Sequence, residues 1–84
     1  MKEAGWPFGG RPTPERLWSL WQAGSLLRAT INAHPLGYEV RVYMSGDYLY
    51  SFLKPTRELA EQEARELKRE RLANGWTDRP EIPT

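Results

Sequence analysis

Few side chains in this 84-residue chain are of the kinds that make or break bonds: it has one His and no Cys. A nucleophilic set can be assembled on paper from Ser45 or Ser51, His34 and Asp47. Its logic is that serine attacks when an imidazole takes its proton and a carboxylate holds that imidazole. His34 and Asp47, however, fall in His34-Pro35-Leu36-Gly37 and Ser45-Gly46-Asp47. These segments have turn composition, and polar residues occupy turns for backbone reasons alone. The carboxylate pairs Glu58–Glu61 and Glu63–Glu66 fall on an open helical face, where nothing moves a pKa toward acid–base duty. Gly9-Gly10 lies among prolines rather than between a strand and a helix, so it makes no phosphate loop. A single His without Cys also excludes thiolate and polyhistidine metal sites. The residues predict no enzyme, no metal and no cofactor, which leaves surfaces as the route to function.

Those surfaces must be built by one small domain. Twelve Lys+Arg face 11 Asp+Glu for a net charge of +1, and 39% of residues are hydrophobic. A chain of this size buries only a limited core. No apolar run approaches the ~20 residues of a membrane span. The N-terminal residues lack the apolar stretch of a secretory signal, so the expected location is cytoplasmic. Residues 1–16 are interrupted by Gly5, Pro7, Gly9, Gly10, Pro12 and Pro14, which break helices and central strands. They are expected to form a flexible tail, as are residues 77–84 (TDRPEIPT), leaving a single domain over residues 17–76. In the first tail Trp6-Pro7-Phe8 reads either as a strap over the chain's own apolar edge or as a short motif for a partner.

Four strand-like runs precede one helix. The runs are Leu17–Ala23, Leu26–Ala33, Tyr38–Met44 and Tyr48–Lys54, with β-branched and aromatic residues suited to a pleated surface. The dividers are short, which favours sequential antiparallel hairpins. The helix is predicted over Thr56–Asn74, with Thr56 as N-cap, Gly75 at the left-handed position after it and Trp76 folding back. Its inner stripe is Ala60, Ala64 and Leu67, with Leu59 and Leu72 at the margins and the aliphatic stem of Arg71 along the core edge. The predicted fold is α+β: a four-stranded antiparallel β-meander with one C-terminal α-helix packed on one face (ββββα).

Alternation assigns the two faces of the sheet. Leu27, Ala29, Ile31 and Ala33 hold the apolar side of the second run, so they face the helix. A two-residue turn before that run sets Trp18, Leu20 and Gln22 beside them, with Trp21 pointing outward. A four-residue loop His34–Gly37 places Tyr38, Val40, Val42 and Met44 on the same side. A two-residue turn at Ser45-Gly46 or Gly46-Asp47 then adds Leu49, Ser51 and Leu53. The opposite face would carry Trp21, Arg28, His34, Glu39, Arg41, Tyr43, Tyr48, Tyr50 and Phe52. A three-residue third turn would instead send Tyr48, Tyr50 and Phe52 inward.

An outer face of aromatics and arginines has three readings. Cross-strand pairs stabilise a sheet by ~0.2–1 kcal/mol each without any partner. Trp, Tyr, Phe and Arg are also the residues of protein interfaces, including a homodimer that packs sheet against sheet. Bases can stack on aromatics while arginines meet phosphates. The favoured expectation is a protein-interaction or self-association module working through Trp21, Arg28, Arg41, Tyr43, Tyr50 and Phe52, with a protein partner or a second copy and no membrane.

The segment GYEVRVYMSGDYLYSFLKPTRELAEQEARELKRERLANGW resembles the arm-type DNA-binding domains of tyrosine recombinases. It shows a strand, a Gly turn, a second strand and a Thr-capped helix with alanines. The same pattern, with Gly-Trp after the helix, is similar to small uncharacterised bacterial proteins. In the arm-type domains the sheet face opposite the helix enters the major groove. The resemblance, over about half the chain, implies Arg28, Arg41, Tyr43, Tyr50 and Lys54 as DNA contacts. Those domains are markedly basic, whereas this chain is almost neutral. Two or three cations neutralise few phosphates and give weak, salt-sensitive binding. Nucleic acid is thus the alternative partner.

Overall fold

The computed structural model describes residues 14–79; Trp6-Pro7-Phe8 lies outside them. Four strands, β1 (Glu15–Gln22), β2 (Ser25–His34), β3 (Gly37–Met44) and β4 (Asp47–Lys54), precede one helix, α1 (Arg57–Ala73). The strands form a single antiparallel sheet in chain order. The ββββα arrangement is the one that the patterning predicts. Glu15 and Arg16, assigned to the N-terminal tail by composition, are paired in β1.

The turns explain the order. Ala23 and Gly24 both have positive φ (50° and 82°), as do Ser45 and Gly46 (50° and 90°). Two successive left-handed residues make the type I′ turn, whose twist matches that of the strands it joins. The middle turn is tighter than predicted, because His34 pairs with Gly37 across Pro35-Leu36. Ala33 still faces Tyr38, so the shorter turn leaves the face assignment intact. Gly37 is required here: its φ is +145°, and a Cβ would stand 2.1 Å from the Lys54 carbonyl oxygen.

The helix is capped at both ends. The Thr56 hydroxyl accepts from the Leu59 amide at 3.2 Å, satisfying one of the unpaired donors of the first turn. At the other end the Trp76 amide donates to the Arg71 carbonyl (3.1 Å) and the Gly75 amide to the Leu72 carbonyl (3.3 Å). This is the Schellman pattern, and Gly75 supplies the left-handed residue with φ 98°. The chain then turns back, and Thr77 exchanges two backbone hydrogen bonds with Trp21, 2.8 and 2.9 Å. The C-terminal segment, expected to be loose from residue 77, thus begins with a residue bound to the free edge of β1.

Trp18, Leu20, Leu27, Ala29, Ile31, Val40, Val42, Ala60 and Ala64 form the buried core. Ala60 and Ala64 let the helix backbone approach the sheet closely. The Trp18 indole N–H donates to the Ala64 carbonyl at 3.0 Å. The helix is tied to β1 at three points: Arg57 bridges to Glu15 at 2.9 Å, Trp18 donates to the Ala64 carbonyl, and Gln22 donates to the Asn74 carbonyl at 3.1 Å. Arg71 lies on the inner stripe as expected, but its Nε is shielded from water without a partner.

The fourth strand departs from the prediction. The two-residue turn is present, yet Tyr43 pairs with Tyr48 and Val42 with Tyr50. Leu49 is therefore an extra residue, a β-bulge that reverses the alternation beyond it. Tyr50 and Phe52 stand beside Val42 and Val40 on the helix side rather than on the outer face. Phe52 packs against the core. Leu49 and Leu53, predicted to face inward, are 44% and 41% exposed. A second bulge lies in β1, where Arg16 pairs with Thr30 and Trp18 with Ala29, so Leu17 is the extra residue.

Candidate functional site

The face opposite α1 is assembled by register. Ser19, Arg28, Tyr43 and Tyr48 form one row across all four strands, and Arg16, Thr30, Arg41 and Ser51 form the next. Trp21 and Leu26 pair at the β1–β2 end. Four of the six residues predicted to carry the site, Trp21, Arg28, Arg41 and Tyr43, are brought onto this face. Tyr50 and Phe52 are not, because of the bulge at Leu49. Lys54 pairs with Tyr38, also on the helix side, and lies 3.6 Å from Glu63.

Two tyrosines form the centre of the face. The Tyr43 and Tyr48 rings meet edge to face, with centroids 6.1 Å apart at 69°, the arrangement that the ring quadrupoles favour. The Tyr48 hydroxyl donates to Ser51 Oγ at 3.0 Å, and Tyr48 is 58% exposed. Arg41 lies beside Tyr43 and forms an ion pair with Glu39 at 3.1 Å. The Tyr43 hydroxyl first, and the Glu39 carboxylate second, raise the Arg41 pKa above its ordinary value. Arg41 is therefore a permanent cation whose charge is partly answered within the chain. Arg28 is exposed opposite Tyr43.

Next to this centre is a shallow cavity of about 310 Å³ lined by Pro14, Leu26, Arg28, Thr30, Tyr43 and Gly46. Thr30 Oγ1 is shielded from water and has no hydrogen-bond partner, as are Ser19 Oγ and Asn32 Oδ1 on the same face. Unpaired buried polar atoms are costly, ~1–3 kcal/mol each, so a ligand group that reached Thr30 would gain by pairing it.

The nucleophilic set does not assemble. His34 ends β2 beside Gly37, whereas Asp47 opens β4 beside Met44, at opposite ends of the sheet. His34 Nδ1 instead accepts from the Leu36 amide at 3.1 Å, a turn contact. Among the described residues no group of His, Asp and Glu is placed to hold a metal ion, and no helix is long and apolar enough to cross a membrane.

Alternation places Tyr48 outward but outside the set expected to carry the site, gives Leu26 no role and turns Leu53 inward, whereas the register puts all three on this face. The signal for the bulge was Ser51. It is the polar residue inside the run Tyr48–Leu53, and the predicted alternation turned it toward the core. No family model matches the chain, and no curated protein or solved structure matches it.

Proposed function

We propose that the chain is a non-catalytic protein-binding module whose working surface is the sheet face opposite α1. The observation that carries this reading is the pair of half-buried Tyr43 and exposed Tyr48, flanked by Arg28 and Arg41 and adjoining the Thr30 cavity. Tyr and Arg concentrate binding energy because they present broad, stiff contact area with polar tips. Nucleic acid draws less support. Arg41 is already paired with Glu39, and a surface with few free cations releases few counterions.

The test is chemical cross-linking and affinity capture with the wild-type chain, with Tyr43→Ala/Tyr48→Ala and with the helix-face control Glu70→Gln. A partner retained by wild type and control, and lost by the double variant while circular dichroism shows it still folded, is the expected result. A capture profile identical for all three chains refutes the reading. Duplex DNA titrated at low salt supplies the other arm. Binding that weakens with Arg28→Ala and Arg41→Ala, with a flatter salt slope, would replace the protein reading with the nucleic-acid one.

A further inference from the structure

A second surface lies on the edge of the sheet rather than on its face. Among the described residues no backbone group pairs with the outer edge of β4. Its only protection among the described residues is the bulge at Leu49 near its start. Between Asp47 and Lys54 the run Tyr48-Leu49-Tyr50-Ser51-Phe52-Leu53 has no charge and no proline. Natural edges are normally blunted by charges, prolines or a covering segment, because an open row of N–H and C=O groups recruits another strand. The opposite edge is covered at Trp21 by Thr77. On the helix side Tyr50 is 37% and Leu59 45% exposed. Leu59 borders a cleft with Lys54 and Pro55 at the end of β4.

We infer that two copies of this chain join edge to edge through β4, antiparallel about a twofold axis at Ser51, to make one continuous sheet. The strand is self-complementary in this register once its bulge is counted. Ser51 faces the second copy's Ser51, and Tyr50 faces its Phe52 on the helix side. Tyr48 faces the second copy's Leu53 on the outer side, with Leu49 left over as it is against β3. Every residue keeps its face, as a twofold pairing demands. Asp47 then stands opposite the second copy's Lys54 at both ends of the strand pair. Exposed Tyr48, Tyr50 and Leu53 gain apolar neighbours in one step. The occupant is a second copy because both the charge pattern and the face pattern of β4 are answered by β4 itself. The join also sets the two outer faces side by side, but it does not depend on those faces binding anything.

The absence of Cys gives a clean test on the full chain. Sedimentation equilibrium should show a monomer–dimer equilibrium. Paired residues on antiparallel strands have Cα atoms about 4.5–5.5 Å apart, within disulfide range. Ser51→Cys should therefore oxidise to a covalent dimer much faster than the helix-face control Gln62→Cys. Asp47→Lys and Lys54→Asp each place two like charges together and should weaken self-association about tenfold. Mixing the two variants should restore it as a heterodimer, which a loss of folding cannot do. A chain that stays monomeric over the whole concentration range overturns the inference. So does a dimer in which Ser51→Cys cross-links no faster than the control and charge reversal has no effect. Tyr48 belongs to both surfaces, so the outer face is separated from the edge with Arg28→Ala/Tyr43→Ala, which leaves β4 intact. Loss of partner capture in that variant with Ser51→Cys cross-linking retained, or the reverse, distinguishes failure of one surface from failure of the other.

Discussion

The two edge strands of this sheet are built from similar parts and treated in opposite ways. Both carry one bulge beside an unbulged centre of β2 and β3. In β1 the bulge residue Leu17 packs against the core, Trp18 is anchored to the helix, and Thr77 closes the outer rim. In β4 the bulge residue Leu49 is exposed, and no described residue pairs with the outer rim. A β-bulge thus says nothing by itself about protection. What differs is how α1 is tied to each: it holds β1 at Glu15, Trp18 and Gln22, and β4 through the Lys54–Glu63 ion pair.

Removing the main tie of β1 should have the largest effect. Trp18→Ala opens a cavity under the helix and leaves the Ala64 carbonyl with no indole donor. A loss of about 3–5 kcal/mol is expected for a buried Trp, measured by urea unfolding. A loss below 1 kcal/mol would show that the helix is not anchored at β1.

The two bulges can be compared directly by deletion. Taking out Leu17 leaves Arg16 and Trp18 as regular neighbours but discards a packed side chain, for a loss of about 1–2 kcal/mol. Taking out Leu49 leaves Tyr48 and Tyr50 on the faces they already occupy, with little burial lost, so stability should change by less than ~0.5 kcal/mol. Equal losses in the two deletions would contradict the contrast between the strands.

Thr77→Pro falls between the two deletions. It removes the N–H given to the Trp21 carbonyl and leaves the core untouched. About 0.5–1 kcal/mol should be lost, with faster amide exchange at Trp21. Unchanged exchange would mean that Thr77 does not hold the edge.

Much of this contrast was legible in the residues. The strand–turn–strand order, the Thr56 cap, the Gly75 stop and the Ala60–Ala64 stripe follow from local chemistry, which leaves each of them few alternatives. Three strands have one apolar and one polar face, so their register is fixed by alternation. β4 does not: Tyr48, Leu49, Tyr50, Phe52 and Leu53 suit either face, and a pattern apolar on both sides carries no information about parity. Two residues expected on the outer face, Tyr50 and Phe52, moved for this reason. The bond between Thr77 and Trp21 was invisible because it pairs segments far apart in the chain with no side-chain code.

That bond also bears on time. The meander is made of neighbours in sequence, and each hairpin can zip without waiting for the rest. Thr77 and Trp21 meet only after the helix has formed and reached the first strand, so their contact should be absent from the folding transition state. Thr77→Pro would then leave the refolding limb of a chevron in place and raise the unfolding limb. The residue that follows the helix stop would act as a latch, setting how long the folded chain lasts rather than how quickly it forms.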